Sequence, residues 1–141
     1  IKPCVRLNGT SDIRWETILI DGQSIFDHFP AIQFYDYTKI ANRKVDHISN
    51  YDLTFSYSEA NPAYAKQVNI ALERGLNIAV VFRKKESIPK TFLNLPTIDG
   101  DKNDMRFLDP KQTVVALYAK GKARKDTSGF VIDGLRLSLA A

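Results

Sequence analysis

Three short stretches of the chain alternate between apolar and polar residues, as expected for β-strands with one buried face. They cover residues 5–8, 32–37 and 53–58. In each stretch the hydrogen-bonding side chains lie opposite the aliphatic and Phe side chains; these polar residues are Arg6, Asn8, Gln33, Tyr35, Tyr37, Thr54, Ser56 and Ser58. If the three strands are parallel neighbours, their polar side chains converge on one hydrophilic surface that must be solvated or bind a ligand.

A fourth strand and the helix before it form the clearest βαβ pattern. Asn61 is a good N-cap, Pro62 suits the first helical position, and Gly75 is placed to end the helix. The continuous apolar run at 77–82 predicts a strand that is buried on both faces.

Shorter helices are predicted between the first and second strands. Trp15, Ile18 and Leu19 are spaced for one face of a helix. Ser24 and Asp27 have the spacing of a capping box, which predicts a second helix.

The four strands are centred near residues 6, 34, 54 and 80, which is typical of successive βα units. We therefore predict an α/β fold with about four parallel strands in βα units, arranged as a partial barrel or an open sheet. Residues 105–108 and 113–118, joined by a turn at 109–112, predict an appended C-terminal β-hairpin.

The composition fits a single α/β domain over residues 1–141, because 44% of the residues are apolar and 26% are charged. The chain opens on Ile, so we expect that it can be a fragment of a longer polypeptide. No apolar run approaches the roughly 18 residues of a membrane span, and no secretory signal is recognisable at the start. These features predict a soluble protein with no membrane partner, and they leave its oligomeric state open.

The loops at the carboxyl ends of parallel strands are where α/β folds usually bind ligands. The predicted ligand-binding residues are Arg6, Asn8, Thr10, Gln33, Tyr35, Lys39, Ser56 and Ser58. Asp12, Asp36 and Glu59 are the candidate catalytic carboxylates, which could act as acid or base beside a small anionic ligand. The alternative is structural, because strand-end loops are generally polar and Thr10, Asp12 and Ser58 could cap helices.

The second half of the chain is basic: residues 71–141 carry thirteen Lys and Arg against eight acidic residues, whereas residues 1–70 carry seven against eight. Within it, Lys120, Lys122, Arg124 and Lys125 are candidates for contacts with nucleic-acid phosphates. Neighbouring aromatic side chains could stack on bases. The competing interpretation is a solvated surface loop.

Metal and cofactor signatures are not found in the sequence. Residues 99–104 resemble the start of a calcium loop, but Asp104 stands where that loop needs Gly and Pro110 where it needs Glu. The single Cys and the two His lack partners at ligand spacing. No Walker, G-x-G-x-x-G or G-x-S-x-G motif is present either. We therefore predict no metal and no cofactor.

Three segments, at residues 5–12, 34–39 and 120–131, resemble a phage-encoded family known as "gene product eighty-eight". The resemblance implies a phage, prophage or plasmid origin, a cytoplasmic location in the bacterial host cell, and no settled activity. The resemblance also implies an upstream cysteine-containing stretch, which members of that family often carry.

Three functional hypotheses follow from the residues and the resemblance together. The first is a mobile-element accessory protein that associates with nucleic acid through its basic C-terminal segment. The second is an enzyme, or the remnant of one, of incomplete βα-barrel type that acts on a small phosphorylated or nucleotide ligand. The third is a polar face that does no chemistry and docks on a partner or on an upstream segment of the same polypeptide.

Overall fold

The computed structural model describes residues 3–133, and these form a mixed α/β fold with an eight-stranded sheet. The strands are β1 (Cys4–Arg6), β2 (Gln33–Thr38), β3 (Tyr51–Ser56), β4 (Asn77–Phe82), β5 (Thr91–Phe92), β6 (Leu95–Asp99), β7 (Val114–Tyr118) and β8 (Val131–Ile132). The helices are α1 (Ile25–His28) and α2 (Tyr64–Glu73), with 3₁₀ turns at Trp15–Thr17, Lys85–Ser87, Arg106–Leu108 and Gly121–Lys125.

The sheet is mostly parallel, with the order β1-β2-β3-β4-β7-β6-β5. Among the eight strands of residues 3–133, only β5 and β6 pair in antiparallel fashion. The first half of β4 pairs with β3, and its second half pairs with β8 through Val81 and Val131. Strands β1, β2, β3, β4, β7 and β8 therefore end on the same side of the sheet, which we call the carboxyl edge.

Helix α2 connects β3 to β4 and ends as its sequence predicts. Gly75 has a φ of +72°, and its N–H donates to the carbonyl of Leu72 while that of Leu76 donates to Ala71. These two bonds form a Schellman motif, in which glycine avoids the strain that a side chain would cause at positive φ. At the other end, the side chain of Asn61 accepts from the N–H of Ala63, and the regular helix begins slightly later than predicted.

The connection between β1 and β2 contains less helix than predicted. Ser24 and Asp27 do form the capping box, but α1 is a single turn. The segment with Trp15, Ile18 and Leu19 contains only a three-residue 3₁₀ turn. Trp15 packs against the cluster that contains Phe26 and Phe34, whereas Ile18 and Leu19 are exposed, so the apolar periodicity here does not produce a packed helix.

The apolar face of the sheet is covered by the helices and forms the core. Phe34, Phe55, Ile78 and Val80 are buried on this face. Val68, on α2, packs in the same cluster as Phe55 and Ile78. In β2 the buried positions alternate with half-buried polar ones, as its pattern predicted. In β3 the alternation fails at Thr54, a predicted polar-face residue that is 1% exposed.

The predicted C-terminal hairpin is wrong. Residues 114–118 are the interior strand β7, which lies between β4 and β6 and is parallel to both. Residues 106–108 are a 3₁₀ turn packed near β3. The buried run Val114–Ala116 is typical of a central parallel strand. The antiparallel pair lies earlier, where Leu93 and Asn94 join β5 to β6 with positive φ, as a two-residue hairpin requires.

The predicted parallel, mixed α/β architecture is present, but its finer form differs. Among residues 3–133, α2 is the only helix longer than one turn, so the structure does not show repeated βα units or a partial barrel. β1 and β5 lie at opposite ends of the strand order. In the same part of the chain, neither helix has the length and apolar character to cross a bilayer.

Candidate functional site

A cleft of about 290 Å³ opens at the carboxyl ends of β1, β2 and β3, and we call it the edge cleft. Its lining residues are Arg6, Asn8, Gly9, Thr10, Ser11, Asp12, Tyr37, Thr38, Lys39 and Ser56. The parallel register creates this grouping, because Arg6 and Ser56 end β1 and β3 while Lys39 directly follows β2. Of the predicted ligand-binding residues, Arg6, Asn8, Thr10, Lys39 and Ser56 meet here, together with the candidate catalytic Asp12.

Lys39 is a half-buried cation on the wall of the edge cleft. Its Nζ donates to the carbonyl oxygen and to Oγ of Ser56, at 3.3 and 3.4 Å. The rings of Tyr64 and Phe130 lie 5.4 and 5.1 Å from the same atom. Burial lowers the pKa of Lys39 below its ordinary value, and the charge of Asp12 opposes that shift. Among the ion pairs of residues 3–133, none includes Lys39.

Arg6 supplies a second cation to the edge cleft. Its guanidinium carbon lies 4.9 Å from the centre of the Tyr37 ring, and Nη2 donates to the carbonyl of Gly9 at 3.3 Å. Within the described part of the chain Arg6 forms no ion pair with a carboxylate. Burial raises the pKa of Tyr37, although the charges of Arg106 and Arg6 oppose the shift, which keeps the phenol neutral beneath the guanidinium.

Asp12 anchors the wall of the edge cleft. Its Oδ1 accepts from Oγ1 of Thr38 at 2.7 Å, and its Oδ2 accepts from the backbone N–H of Lys39 at 2.8 Å. Nη1 of Arg43 also lies 3.2 Å from Oδ1. The carboxylate is therefore already neutralised and hydrogen-bonded, and it fixes the backbone from which Lys39 projects.

A buried polar network lies beneath the edge cleft, centred on Asp36. Asp36 is 0% exposed and accepts from the backbone N–H of Asn8 at 2.6 Å and from the phenol of Tyr51 at 2.6 Å. Burial raises its pKa, and the hydrogen bonds from Tyr51 and Asn8 oppose part of that shift. Asp36 thus holds β1, β2 and β3 together below the cleft.

Arg43 completes this network, and the sequence interpretation missed it. Its side chain is fully buried; Nη2 donates to Oε1 of Glu16 at 2.6 Å and to the hydroxyl of Tyr51 at 2.9 Å. The residue stands in a polar loop between Asn42 and Lys44. No local pattern distinguishes it from its exposed neighbour, so only the tertiary fold reveals its burial.

The other predicted residues lie outside the edge cleft. Gln33 begins β2 and lines a different depression, at the amino ends of the strands. The Tyr35 ring contacts that of Phe107, 5.7 Å away. Ser58 is buried, with its Oγ accepting from the N–H of Ala60. Glu59 is exposed, and its backbone N–H donates to the carbonyl of Gly129.

The polar face of the sheet is partly covered, which explains why its residues separate. The Arg106–Leu108 turn lies over β3, and the Arg106 side chain is 1% exposed and ion-paired with Asp109 at 3.2 Å. Tyr35 faces this turn through its contact with Phe107. The polar rows therefore continue to an open surface only near the strand ends.

A cationic surface occupies the neighbouring part of the carboxyl edge, beyond β4 and β7. These strands are paired up to Phe82 and Tyr118, which brings the residues that follow them together. Nη1 of Arg83 donates to the carbonyl of Arg124 at 2.9 Å. We call this region the basic surface, and it comprises Arg83, Lys84, Lys85, Lys120, Lys122, Arg124 and Lys125.

The basic surface contains a shallow groove of about 400 Å³ between its two segments. Arg83, Lys84, Lys85, Tyr118 and Arg124 are among its lining residues. Arg83 and Lys120 form ion pairs with Asp133 and Asp101. The other five cations have no ion-pair partner among residues 3–133. The sequence predicted that residues 120–125 carry candidate phosphate-binding cations. The pairing of β4 with β7 shows that Arg83–Lys85 lies beside them.

Within residues 3–133, no group of three or more His, Cys, Asp or Glu side chains is arranged to hold a metal ion. The carboxylates near the edge cleft are instead engaged by protein donors, as Asp12 and Asp36 show.

Comparison with known proteins agrees with the resemblance carried by the three sequence segments. No curated protein and no solved structure matches the chain. The sequence model of one family, described as Gene product 88, matches residues 1–134. Because this match spans nearly the whole chain, the protein belongs to the Gene product 88 family.

Proposed function

We propose that this protein is a phage-type accessory protein that binds nucleic acid through its basic surface. The observation that carries the proposal is the convergence of seven cations from two neighbouring strand ends, at Arg83–Lys85 and residues 120–125. Family membership supports the phage-type part of the proposal. Five of these cations are available for phosphates, since no carboxylate of residues 3–133 pairs with them.

The form of the surface favours a polyanion over a compact ligand. The groove is shallow and its cations are mostly exposed, which suits contact with successive phosphates of a strand. Tyr118 contacts Lys120, with 4.2 Å between the ring centre and Nζ, and its half-exposed ring could stack on a base. Phosphate contacts of this kind give affinity without sequence specificity.

We propose no reaction, because two of the three candidate catalytic carboxylates are engaged by protein donors and the third lies outside the edge cleft. Asp12 is ion-paired, Asp36 is buried in the network, and Glu59 is outside the edge cleft. Their positions do not form an acid and base pair around one reacting group.

The test is a titration of labelled single- and double-stranded oligonucleotides at about 50 and 200 mM salt. If about four phosphates are contacted, affinity should fall by about a hundredfold between these conditions. The Lys122→Ala/Arg124→Ala variant should bind more weakly at both salt concentrations, and the slope of log affinity against log salt should be smaller by about two.

The matched control is Lys44→Ala/Lys66→Ala, which removes the same charge from exposed positions outside the basic surface. It should retain most of the affinity. Absence of binding at micromolar protein in low salt, or equal losses in both variants, would overturn the proposal.

A further inference from the structure

The edge cleft differs from the basic surface in a way that points to a ligand of its own. Lys39 and Arg6 both line it, and neither forms an ion pair within residues 3–133. Lys39 is half-buried, and removing a charge from water costs free energy unless an opposite charge compensates it. An anionic ligand between these two cations would supply that compensation.

One carboxylate, Asp12, also lines the edge cleft and balances part of this positive charge. Asp12 is held by Arg43 and by two hydrogen bonds, from Thr38 and from the backbone of Lys39. Arg43 therefore shares the negative charge that Asp12 exerts on Lys39. Two cations and one carboxylate line the edge cleft, so its formal charge is positive, which favours an anion.

Hydrogen-bond donors beside the cations suit an oxyanion. Thr10 is exposed at the rim, and Ser56 lies against Lys39. The bonds of Lys39 to Ser56 measure 3.3 and 3.4 Å, at the weak end of the usual range. The ammonium can exchange these contacts for stronger ones to a charged acceptor.

The size of the edge cleft limits what it can hold. Its volume of about 290 Å³ is near the lower end of the range for small-molecule pockets, roughly 300–1,000 Å³. A single phosphate group with an attached sugar or nucleoside fits that class.

We propose that the edge cleft binds the phosphate group of a small phosphomonoester, with Arg6 and Lys39 as its cationic ligands and Thr10 and Ser56 as hydroxyl donors. This site is separate from the basic surface, so the inference goes beyond the nucleic-acid function. Asp12 acts as a positioning residue, because it accepts from the backbone N–H of Lys39 and so fixes the backbone from which that side chain projects.

The experiment is calorimetric titration of the full chain with four probes: ribose 5-phosphate, adenosine monophosphate, ribose and adenosine. Both phosphorylated probes should bind and both neutral probes should not. Preference between the two phosphomonoesters then identifies the attached group. Lack of binding by either phosphorylated probe at millimolar concentration, or equal binding of a phosphorylated probe and its neutral counterpart, would overturn the inference.

Variants locate the site. Arg6→Ala and Lys39→Met should each weaken phosphomonoester binding about tenfold or more, because each removes a charge-assisted bond. Lys39→Arg should retain most of the affinity, which distinguishes loss of charge from loss of folding. Thermal unfolding of every variant checks that the chain is intact.

Two control variants separate this inference from the proposed function. Lys90→Ala changes an exposed cation remote from the edge cleft and should bind as the parent does. Lys122→Ala/Arg124→Ala should lose nucleic acid and keep the phosphomonoester. If it loses both, or if Arg6→Ala and Lys39→Met bind normally, the edge cleft is not the site.

Discussion

The two halves of the carboxyl edge carry similar charges in different surroundings. Around β1–β3, Lys39 is half-buried against aromatic rings and is positioned by Asp12. Beyond β4 and β7, most cations are exposed on short turns. The interactions of a buried charge are stronger and depend more on geometry, whereas salt screens the interactions of an exposed charge. We therefore expect salt to affect binding at the basic surface more than binding at the edge cleft.

The largest expected effect comes from breaking the network under the edge cleft. Arg43→Ala leaves Glu16, whose side chain is 5% exposed, without its cation. We expect the free energy of unfolding to fall by about 3–5 kcal/mol, measured by urea denaturation. Lys44→Ala, at the exposed neighbouring position, should change it by less than about 0.5 kcal/mol. An equal fall in the free energy of unfolding for the two variants would show that the network does not stabilise the protein around the edge cleft.

Gly129 lies where the two halves meet, just before Phe130, and its replacement should have the next largest effect. It has a φ of +103°, and a Cβ there would lie 2.7 Å from the carbonyl carbon of Glu59. Gly129→Ala should therefore cost about 1–3 kcal/mol of unfolding free energy. Gly121→Ala is the matched control, because its φ is also positive but no atom lies within 4 Å of the added Cβ. A smaller cost at Gly129 than at Gly121 would contradict the described packing.

Removing charge from the basic surface should affect nucleic-acid binding alone. Lys84→Ala/Lys85→Ala removes two exposed cations of the basic surface. Oligonucleotide affinity should fall about tenfold at low salt, with a salt slope lower by about two. Fluorescence titration measures both quantities. Phosphomonoester binding should not change, and a parallel loss would show that the halves are not independent.

The smallest expected effect is the pH dependence of the edge cleft. Burial lowers the pKa of Lys39, against the opposing charge of Asp12; Ser56, Tyr64 and Phe130 also face the amine. Only the protonated amine attracts the anion, so affinity should decrease as pH rises through the lowered pKa of Lys39. Lys39→Arg should remove this decrease, because guanidinium stays charged. Titrations above neutral pH avoid interference from the second ionisation of the phosphate, which occurs at about pH 6.

The parallel core could be predicted from the sequence because its signals are local. Alternation in β2 and β3, the apolar run of β4 and the glycine after α2 each act within a few residues. The place of β7 could not be predicted in the same way. Its apolar run fits a hairpin strand or a central strand equally well, and only its pairing with β4 decides between them.

The candidate site residues show the same difference between local signals and long-range contacts. Arg6, Lys39 and Ser56 meet because they end adjacent parallel strands, which a strand assignment already implies. Tyr35 and Gln33 lie on β2 as well. Tyr35 is in contact with Phe107 from a segment distant in the chain, and Gln33 lies at the opposite, amino end of the strand. Contacts made by residues far apart in the chain, such as those of Arg43, leave no signature in a single sequence.

The most direct test of the two-site account is a competition titration with the parent chain. A labelled oligonucleotide bound at the basic surface is titrated with ribose 5-phosphate to saturation of the edge cleft. The account predicts that the oligonucleotide stays bound, with its dissociation constant changed by less than about twofold, since the two sites share no lining residue and salt screens exposed charges. Stoichiometric displacement of the oligonucleotide by the small ligand would contradict it.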